Sequence, residues 1–286
     1  MKYKLLFCDL DGTLLNSRIE VSDENRIAIR KMSGMGVTFV PSSGRTLYEM
    51  PECVRENTDI RYISYSDGAV VLDRLTGERL CACMDRELAL YVIDLLEGYD
   101  TLLTVRNGGR SYVDADKNSP ADHKHYRLND LYSDFIYAWN TPIGDYRNFI
   151  RSFDEVEMIC VFFSDEDELN ECRNKISAHP ELSCSQSAPH NLEIFHKNAG
   201  KGNALLRLAE HLGIPREQTI AVGDSSNDVS MLKVAGLALA MGNAWPDLLQ
   251  LADAQICHHD EHGMAYILKH YLTEVGSCDT KKNNNI

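Results

Sequence analysis

Two aspartates two positions apart, Asp9 and Asp11, follow the apolar run Leu5-Leu6-Phe7-Cys8 and precede Gly12. Four apolar residues bounded in this way read as a buried strand. In an extended backbone, residues i and i+2 point to the same side, and Gly12 permits a turn at the strand end. Both carboxylates are therefore expected to face one small volume beyond the carboxyl edge of the strand, where open α/β sheets place their ligands. Two such charges repel unless a cation or a shared proton relieves them. Mg²⁺, a hard cation that prefers oxygen ligands, is the natural guest. The competing reading of Asp-x-Asp alone is a solvated, inert turn.

Three further stretches end an element in groups that suit the same chemistry. Val37-Thr38-Phe39-Val40 reads as a strand and runs into Pro41-Ser42-Ser43-Gly44-Arg45. The Ser43 hydroxyl and the backbone N–H groups around Gly44 would hold anionic oxygens, and Arg45 would either touch a substrate or cover surface. A polar strand-to-helix turn is the plainer alternative. Lys201 opens a helix whose apolar stripe is Ala204, Leu205, Leu208, Ala209 and Leu212. A cation at a helix start is electrostatically misplaced, so a carboxylate or a bound anion is expected beside it. Thr219-Ile220-Ala221-Val222 reads as a strand ending in Gly223-Asp224-Ser225-Ser226-Asn227-Asp228. Asp224 would add a ligand for Mg²⁺, with Asn227 and Asp228 entering the next helix where acidic groups suit the dipole. An N-capping cluster is the alternative.

These stretches need elements to hold them, and the chain supplies an alternation. Strand, helix and strand signals run from Leu5 to Tyr65, Tyr62-Ile63-Ser64-Tyr65 being the third strand and a helix being expected after Arg45. This is the start of a parallel α/β sheet. Between about Cys83 and Phe195 the character changes. A helix from Arg86 to Glu97 leads to an Asn107-Gly108-Gly109 hairpin signal, a hard-to-read polar and aromatic region from Asp114 to Asp154, and strands Met158 to Phe163 and Asn191 to Phe195. That part reads as an α+β unit with an antiparallel sheet. The expected architecture is α/β, with a core of residues 1–82 and 196–275, an insertion of residues 83–195 and a disordered tail of residues 276–286.

The whole composition constrains partners. At 286 residues, 44% apolar and 25% charged, the chain can bury a sizeable core without staples. A net charge of −14 argues against nucleic acid and against anionic membranes, both of which need clustered Lys and Arg. No apolar run approaches the roughly 20 residues of a membrane span. Met1-Lys2-Tyr3-Lys4-Leu5 lacks the long apolar stretch of a signal peptide. Nine scattered cysteines, with Cys81-Ala82-Cys83 the only close pair, fit a reduced, cytoplasmic chain better than a disulfide framework. His258-His259-Asp260-Glu261-His262 reads as a polar loop rather than a transition-metal site.

Taken together and in order, Asp9-Leu-Asp11-Gly-Thr, Ser43-Gly-Arg, Lys201-Gly and Gly223-Asp224-Ser-Ser-Asn227-Asp228 resemble motifs I to IV of the haloacid dehalogenase superfamily. The long insertion between the second and third motifs resembles the type IIB cap of the Cof-type hydrolases. Asp67-Gly68-Ala69, Met241-Gly242-Asn243-Ala244 and Glu261-His262-Gly263-Met264-Ala265 are supporting echoes. There are two departures: Pro41-Ser42 stands before motif II, and Asp67 stands where this subgroup often has Asn. The resemblance implies a Rossmann-like core and a phosphatase acting on a small phosphorylated metabolite, sugar phosphates first. Asp9 is then the nucleophile, Asp11 the acid and base, and Ser43, Gly44 and Lys201 the phosphate-binding set. It implies Mg²⁺ held by Asp9, the Asp11 backbone carbonyl and Asp224, with Asn227 and Asp228 in support. The aromatic residues from Tyr126 to Trp139 would line the substrate face of the cap or simply pack it. A phosphomutase shares the aspartyl-phosphate, and a phospho-accepting signalling module shares the acidic site but needs less than half this length.

Overall fold

The strand that carries the first motif, β1 (Leu5–Cys8), is fully buried, as four consecutive apolar residues require when both faces of a sheet are covered. The structure, a computed structural model, describes residues 2–273, the side chains of residues 131 and 132 excepted; the tail expected to lack order lies outside the described residues. Helix α1 (Asp23–Gly34) is capped by Ser22, whose hydroxyl accepts from the Asn25 N–H, and buries Ala28, Ile29 and Met32. β2 (Thr38–Pro41) then pairs parallel with β1.

Here the chain departs from expectation. The stretch after Arg45 forms turns and only a single helical turn, α2 (Glu52–Arg55). Pro51 blocks an earlier start, and the Glu49 carboxylate holds the loop by accepting from the Thr46 N–H at 2.7 Å. β3 (Tyr62–Tyr65) touches β2 through one bridge, Ser42 to Ser64, but pairs antiparallel with β4 (Val70–Asp73), which pairs with β5 (Arg79–Cys81). The reversal between β3 and β4 comes from three successive left-handed residues, Ser66, Asp67 and Gly68.

The insertion begins with β6 (Met84–Asp85) and α3 (Arg86–Leu96), followed by the hairpin β7 (Thr101–Asn107) and β8 (Arg110–Asp114). The region that was hard to read holds α4 (Pro120–His125), α5 (Asp130–Trp139), β9 (Asn140–Ile143) and α6 (Tyr146–Arg151). β10 (Glu155–Val156) pairs with β6, and β11 (Met158–Phe163), α7 (Glu166–Ala178), β12 (Leu182–Ser185) and β13 (Asn191–His196) complete the unit. Its six strands lie in the order β12-β13-β11-β7-β8-β9. All neighbours are antiparallel except β8 and β9, which run parallel, so the sheet is mixed rather than purely antiparallel.

The chain then returns through α8 (Lys201–His211), β14 (Thr219–Gly223), α9 (Val229–Val234), β15 (Leu237–Ala240), α10 (Pro246–Leu249), β16 (Ala254–Gln255) and α11 (Gly263–Ile267). The five parallel strands lie in the order β16-β15-β14-β1-β2. Apolar clusters cover both faces of this sheet, one around Leu6, Ile29 and Met32, the other around Phe7, Leu205 and Leu208. Among the described residues no helix is long and apolar enough to cross a membrane.

Candidate active site

Five segments leave the carboxyl ends of the five parallel strands, and three of them carry motif residues. Asp9 follows β1 directly, and its N–H bonds the Val222 carbonyl of β14 at 3.0 Å. Its side chain is therefore fixed by the sheet itself. Gly12 turns the loop at φ +79°, and a Cβ there would lie 2.5 Å from Asp224 Oδ2. No other residue lets the first loop pass so close to the fourth motif. Thr13 Oγ1 closes the approach by donating to Asp224 Oδ1 at 3.1 Å.

Lys201 explains why a cation begins a helix. It is wholly buried, and its Nζ lies 2.6 Å from both Asp9 Oδ1 and Asp228 Oδ1. Burial alone would lower its proton affinity, but the Asp228 and Asp9 carboxylates overcome that and raise it. Gly200, left-handed at φ +98°, delivers the lysine, and its N–H bonds the Asp67 carbonyl at 2.8 Å. Asp228 is fully buried, and its other oxygen accepts from the N–H groups of Asp224 at 2.9 Å and Ser225 at 3.1 Å. It thus caps its own loop while pairing the lysine.

Oxygen atoms of Asp9, Asp224 and Asp228 lie within 4.8 Å of one another. Burial, then repulsion by Asp228, pushes the Asp9 carboxyl well above the usual range; the same causes push Asp224 up to about 6. Hard oxygens held this close, with one lysine against three carboxyls, fit a divalent cation such as Mg²⁺.

Two residues of the expected metal set have other side-chain partners. The Asp11 carboxylate is half exposed and is not among the three that converge. It takes a forked pair of bonds from Arg45, Nε at 2.8 Å and Nη2 at 2.7 Å. The chain already turns at Leu10, so the i, i+2 rule does not carry over from the strand to Asp11. The Asn227 side chain accepts from Ser225 Oγ at 2.9 Å rather than joining the carboxylates. Ser43 is buried at the end of β2, held by its N–H to the Ser64 carbonyl at 3.1 Å, and its hydroxyl accepts from the Arg45 N–H at 3.1 Å.

The sequence reading missed the groups that the insertion contributes. Arg106 of β7 donates to the Gly44 carbonyl and lies 3.9 Å from Glu193 of β13. Glu193 is buried and stands beside Gly44, where a Cβ would be 3.8 Å from its Oε1. A single charge inside an otherwise apolar strand, Leu192-Glu193-Ile194-Phe195, was the available signal. Asp67, noted only as a departure, is buried behind them, and its Oδ1 has no hydrogen-bond partner. Burial and then Glu193 push its carboxyl up to about 7. Of the aromatic stretch, Tyr126 packs inside the insertion with Leu102 and Phe162, whereas Phe135 lies under the Arg45 guanidinium at 5.3 Å.

A family model for haloacid dehalogenase-like hydrolases matches residues 6–268. Phosphatase YwpJ of Bacillus subtilis (strain 168) is 34% identical over 284 residues, spanning 94% of this chain and 100% of that protein. A 5-amino-6-(5-phospho-D-ribitylamino)uracil phosphatase of the same organism, YwtE, is 30% identical over 94% of this chain and 98% of its own. Among solved structures, a haloacid dehalogenase-like hydrolase from B. subtilis superposes with a TM-score of 0.79 at 32% identity, covering 95% of this chain and 100% of that one.

Proposed function

We propose, from the premise that this chain belongs to the haloacid dehalogenase-like hydrolase family and is a phosphatase of that type, that it is a Mg²⁺-dependent enzyme of small phosphate monoesters working through an aspartyl-phosphate on Asp9. Sugar phosphates are the leading substrate class, in keeping with the phospho-ribityl group in the name of one relative. The division of labour follows the chain: residues 1–82 and 196–275 as catalytic core, residues 83–195 as a type IIB cap. The eight unpaired cysteines among the described residues suit a reducing, cytoplasmic setting.

The observation that carries this reading is the Lys201 bridge between Asp9 and Asp228. It fixes one oxygen of the nucleophile and supplies a buried positive charge where a phosphoryl group would sit. In the first step an Asp9 oxygen bonds phosphorus, the ester P–O bond breaks, and the leaving oxygen takes a proton from Asp11. In the second, water attacks the same phosphorus, gives its proton to Asp11 and releases phosphate, restoring the Asp9 carboxylate. Ser43 and the backbone at Gly44 hold the phosphoryl oxygens. Asp9, Asp224 and the Asp11 backbone carbonyl would hold Mg²⁺, with Asp228 and Asn227 behind them. When bound, Mg²⁺ neutralises phosphate charge and the repulsion among the carboxylates.

The test is a panel of phosphorylated sugars, sugar alcohols and nucleotides assayed for released phosphate with Mg²⁺ and with excess EDTA. Hydrolysis of a subset that disappears with EDTA is expected. Undiminished turnover in EDTA rejects the metal dependence, and no release from any monoester rejects the substrate class.

A further inference from the structure

A second set of metal-ligand atoms sits at the crossing into the insertion, away from the proposed active site. Cys81 closes β5, Cys83 follows two residues on, and Glu155 opens β10, the partner of β6. The two Sγ atoms and a Glu155 oxygen lie within 4.8 Å of one another. Cys81 is exposed, so the group is open to solvent.

Two guanidinium groups stand beside the cluster. Arg79 Nη1 donates to Glu155 Oε1 at 2.7 Å, and Cys81 Sγ approaches the same oxygen at 3.9 Å. Arg207 comes in from α8 and bonds the Gly68 carbonyl at 2.7 Å through Nη2. Its Nε is buried without a hydrogen-bond partner, and its charge faces the Cys81 and Cys83 thiols. Thiolates beside guanidinium groups are the form that binds metal.

We infer that Cys81, Cys83 and Glu155 form a site for a thiophilic divalent cation of the zinc class, with water as the fourth, tetrahedral ligand. Two sulfurs and one carboxylate suit zinc and are poor ligands for Mg²⁺, so this site and the three-carboxylate site select different ions. Binding releases the two thiol protons. The plainer alternative is two ordinary thiols sharing a hydrogen bond, which neither Glu155 nor the two guanidinium groups is needed to explain. Because Cys81 belongs to the three-stranded sheet and Glu155 to the insertion, an occupied site ties the two together. This last consequence rests on the core and cap division proposed above, whereas the site itself does not.

Titrating Co²⁺ into the reduced full-length protein, with the acidic site saturated by Mg²⁺, tests the site directly. One equivalent should produce a sulfur-to-cobalt charge-transfer band with tetrahedral visible absorption, displaced by one equivalent of Zn²⁺. Cys81→Ser and Cys83→Ser should each abolish the band, and Glu155→Gln should weaken binding by at least about tenfold. Absence of the band in the wild type, or its survival in both cysteine variants, overturns the site. Glu155→Gln changes a partly exposed surface group, so it remains informative if a cysteine variant fails to fold. Zn²⁺ should also slow Mg²⁺-supported ester hydrolysis more in the wild type than in the Cys81→Ser, Cys83→Ser double variant. Equal slowing would remove the tie between core and cap while the band still reports the site. Failure of the phosphatase reading would show separately, as no hydrolysis without Zn²⁺.

Discussion

The parallel sheet and the six-stranded sheet both carry buried charge, but they hold it differently. The parallel sheet and its helices put their charges at element ends, where Lys201 bonds Asp9 and Asp228 and oxygens of Asp9, Asp224 and Asp228 lie within 4.8 Å of one another. The six-stranded sheet puts its charges inside strands, Arg106 on β7 and Glu193 on β13, with a looser separation of 3.9 Å. Strand-end groups are gripped by backbone N–H bonds and by Lys201, and are rigid. Mid-strand groups reach out from a different sheet. The first arrangement suits a reaction whose geometry cannot vary. The second suits recognition of whatever leaving group is attached.

The sharpest way to break that contrast is to change the two aspartates of the first motif. Asp9→Asn removes the nucleophile, and turnover should fall to background with no phosphorylated protein. Asp11→Asn should lose about 10² to 10⁴-fold, the usual worth of acid–base help. With an aryl phosphate, whose leaving group needs little protonation, it should accumulate phosphate on Asp9. Mass spectrometry after acid quench distinguishes the two; label on Ser43 or a histidine would overturn the mechanism.

Next in size is the lysine. Lys201→Met leaves Asp9 and Asp228 buried with their cation gone, and removal of one partner from a buried pair costs about 3–5 kcal/mol. Urea unfolding in EDTA should show that loss, and Mg²⁺ should recover part of it. A change under about 1 kcal/mol would mean that the bridge is not what holds the strand-end charges. Glu193→Gln should instead leave stability nearly unchanged and alter kcat/KM ratios among phosphate esters by about tenfold, within the range of pocket discrimination. If every ester shifts equally, Glu193 does not read the leaving group.

The same contrast decides what could be read from the chain. Strand-end residues are legible because the turn that delivers them imposes a local pattern: apolar run, Asp, Gly. Asp9 and Asp224 stand out at the ends of apolar runs beside a glycine, and a carboxylate partner for Lys201 was expected from its misplacement at a helix start. Arg106 and Glu193 were not legible, since a polar residue in a strand reads as solvent-facing until the partner sheet is known. The Asp11 side chain could not be placed from the sequence because the i, i+2 rule holds only while the backbone stays extended, and the chain already turns at Leu10. β4 and β5 were missed although Ser66-Asp67-Gly68-Ala69 reads as a turn, because nothing in those residue types announces three successive left-handed residues that fold the chain back on β3.

The smallest expected effect, and the most specific, concerns Asp67, where the two sheets meet. Its carboxyl is buried behind Glu193 with one oxygen unpartnered, and titrates at about 7 in the folded protein against an ordinary value near 4. A raised folded-state value means that the native protein binds the proton more tightly than the unfolded chain. The associated stability is complete below about pH 4 and is lost as pH rises through about 7. Asn at this position cannot titrate and keeps the shape. In metal-free protein, Asp67→Asn should therefore match the wild type near pH 5 and be more stable at pH 8 by about 1–2 kcal/mol, the scale of a buried polar group without a partner. Urea denaturation at the two pH values measures the difference. A variant less stable than the wild type at pH 8 would show that ionised Asp67 is held by Lys201 and Arg106 strongly enough to offset its burial. The junction would then resemble the strand-end cluster rather than the looser charges of the six-stranded sheet.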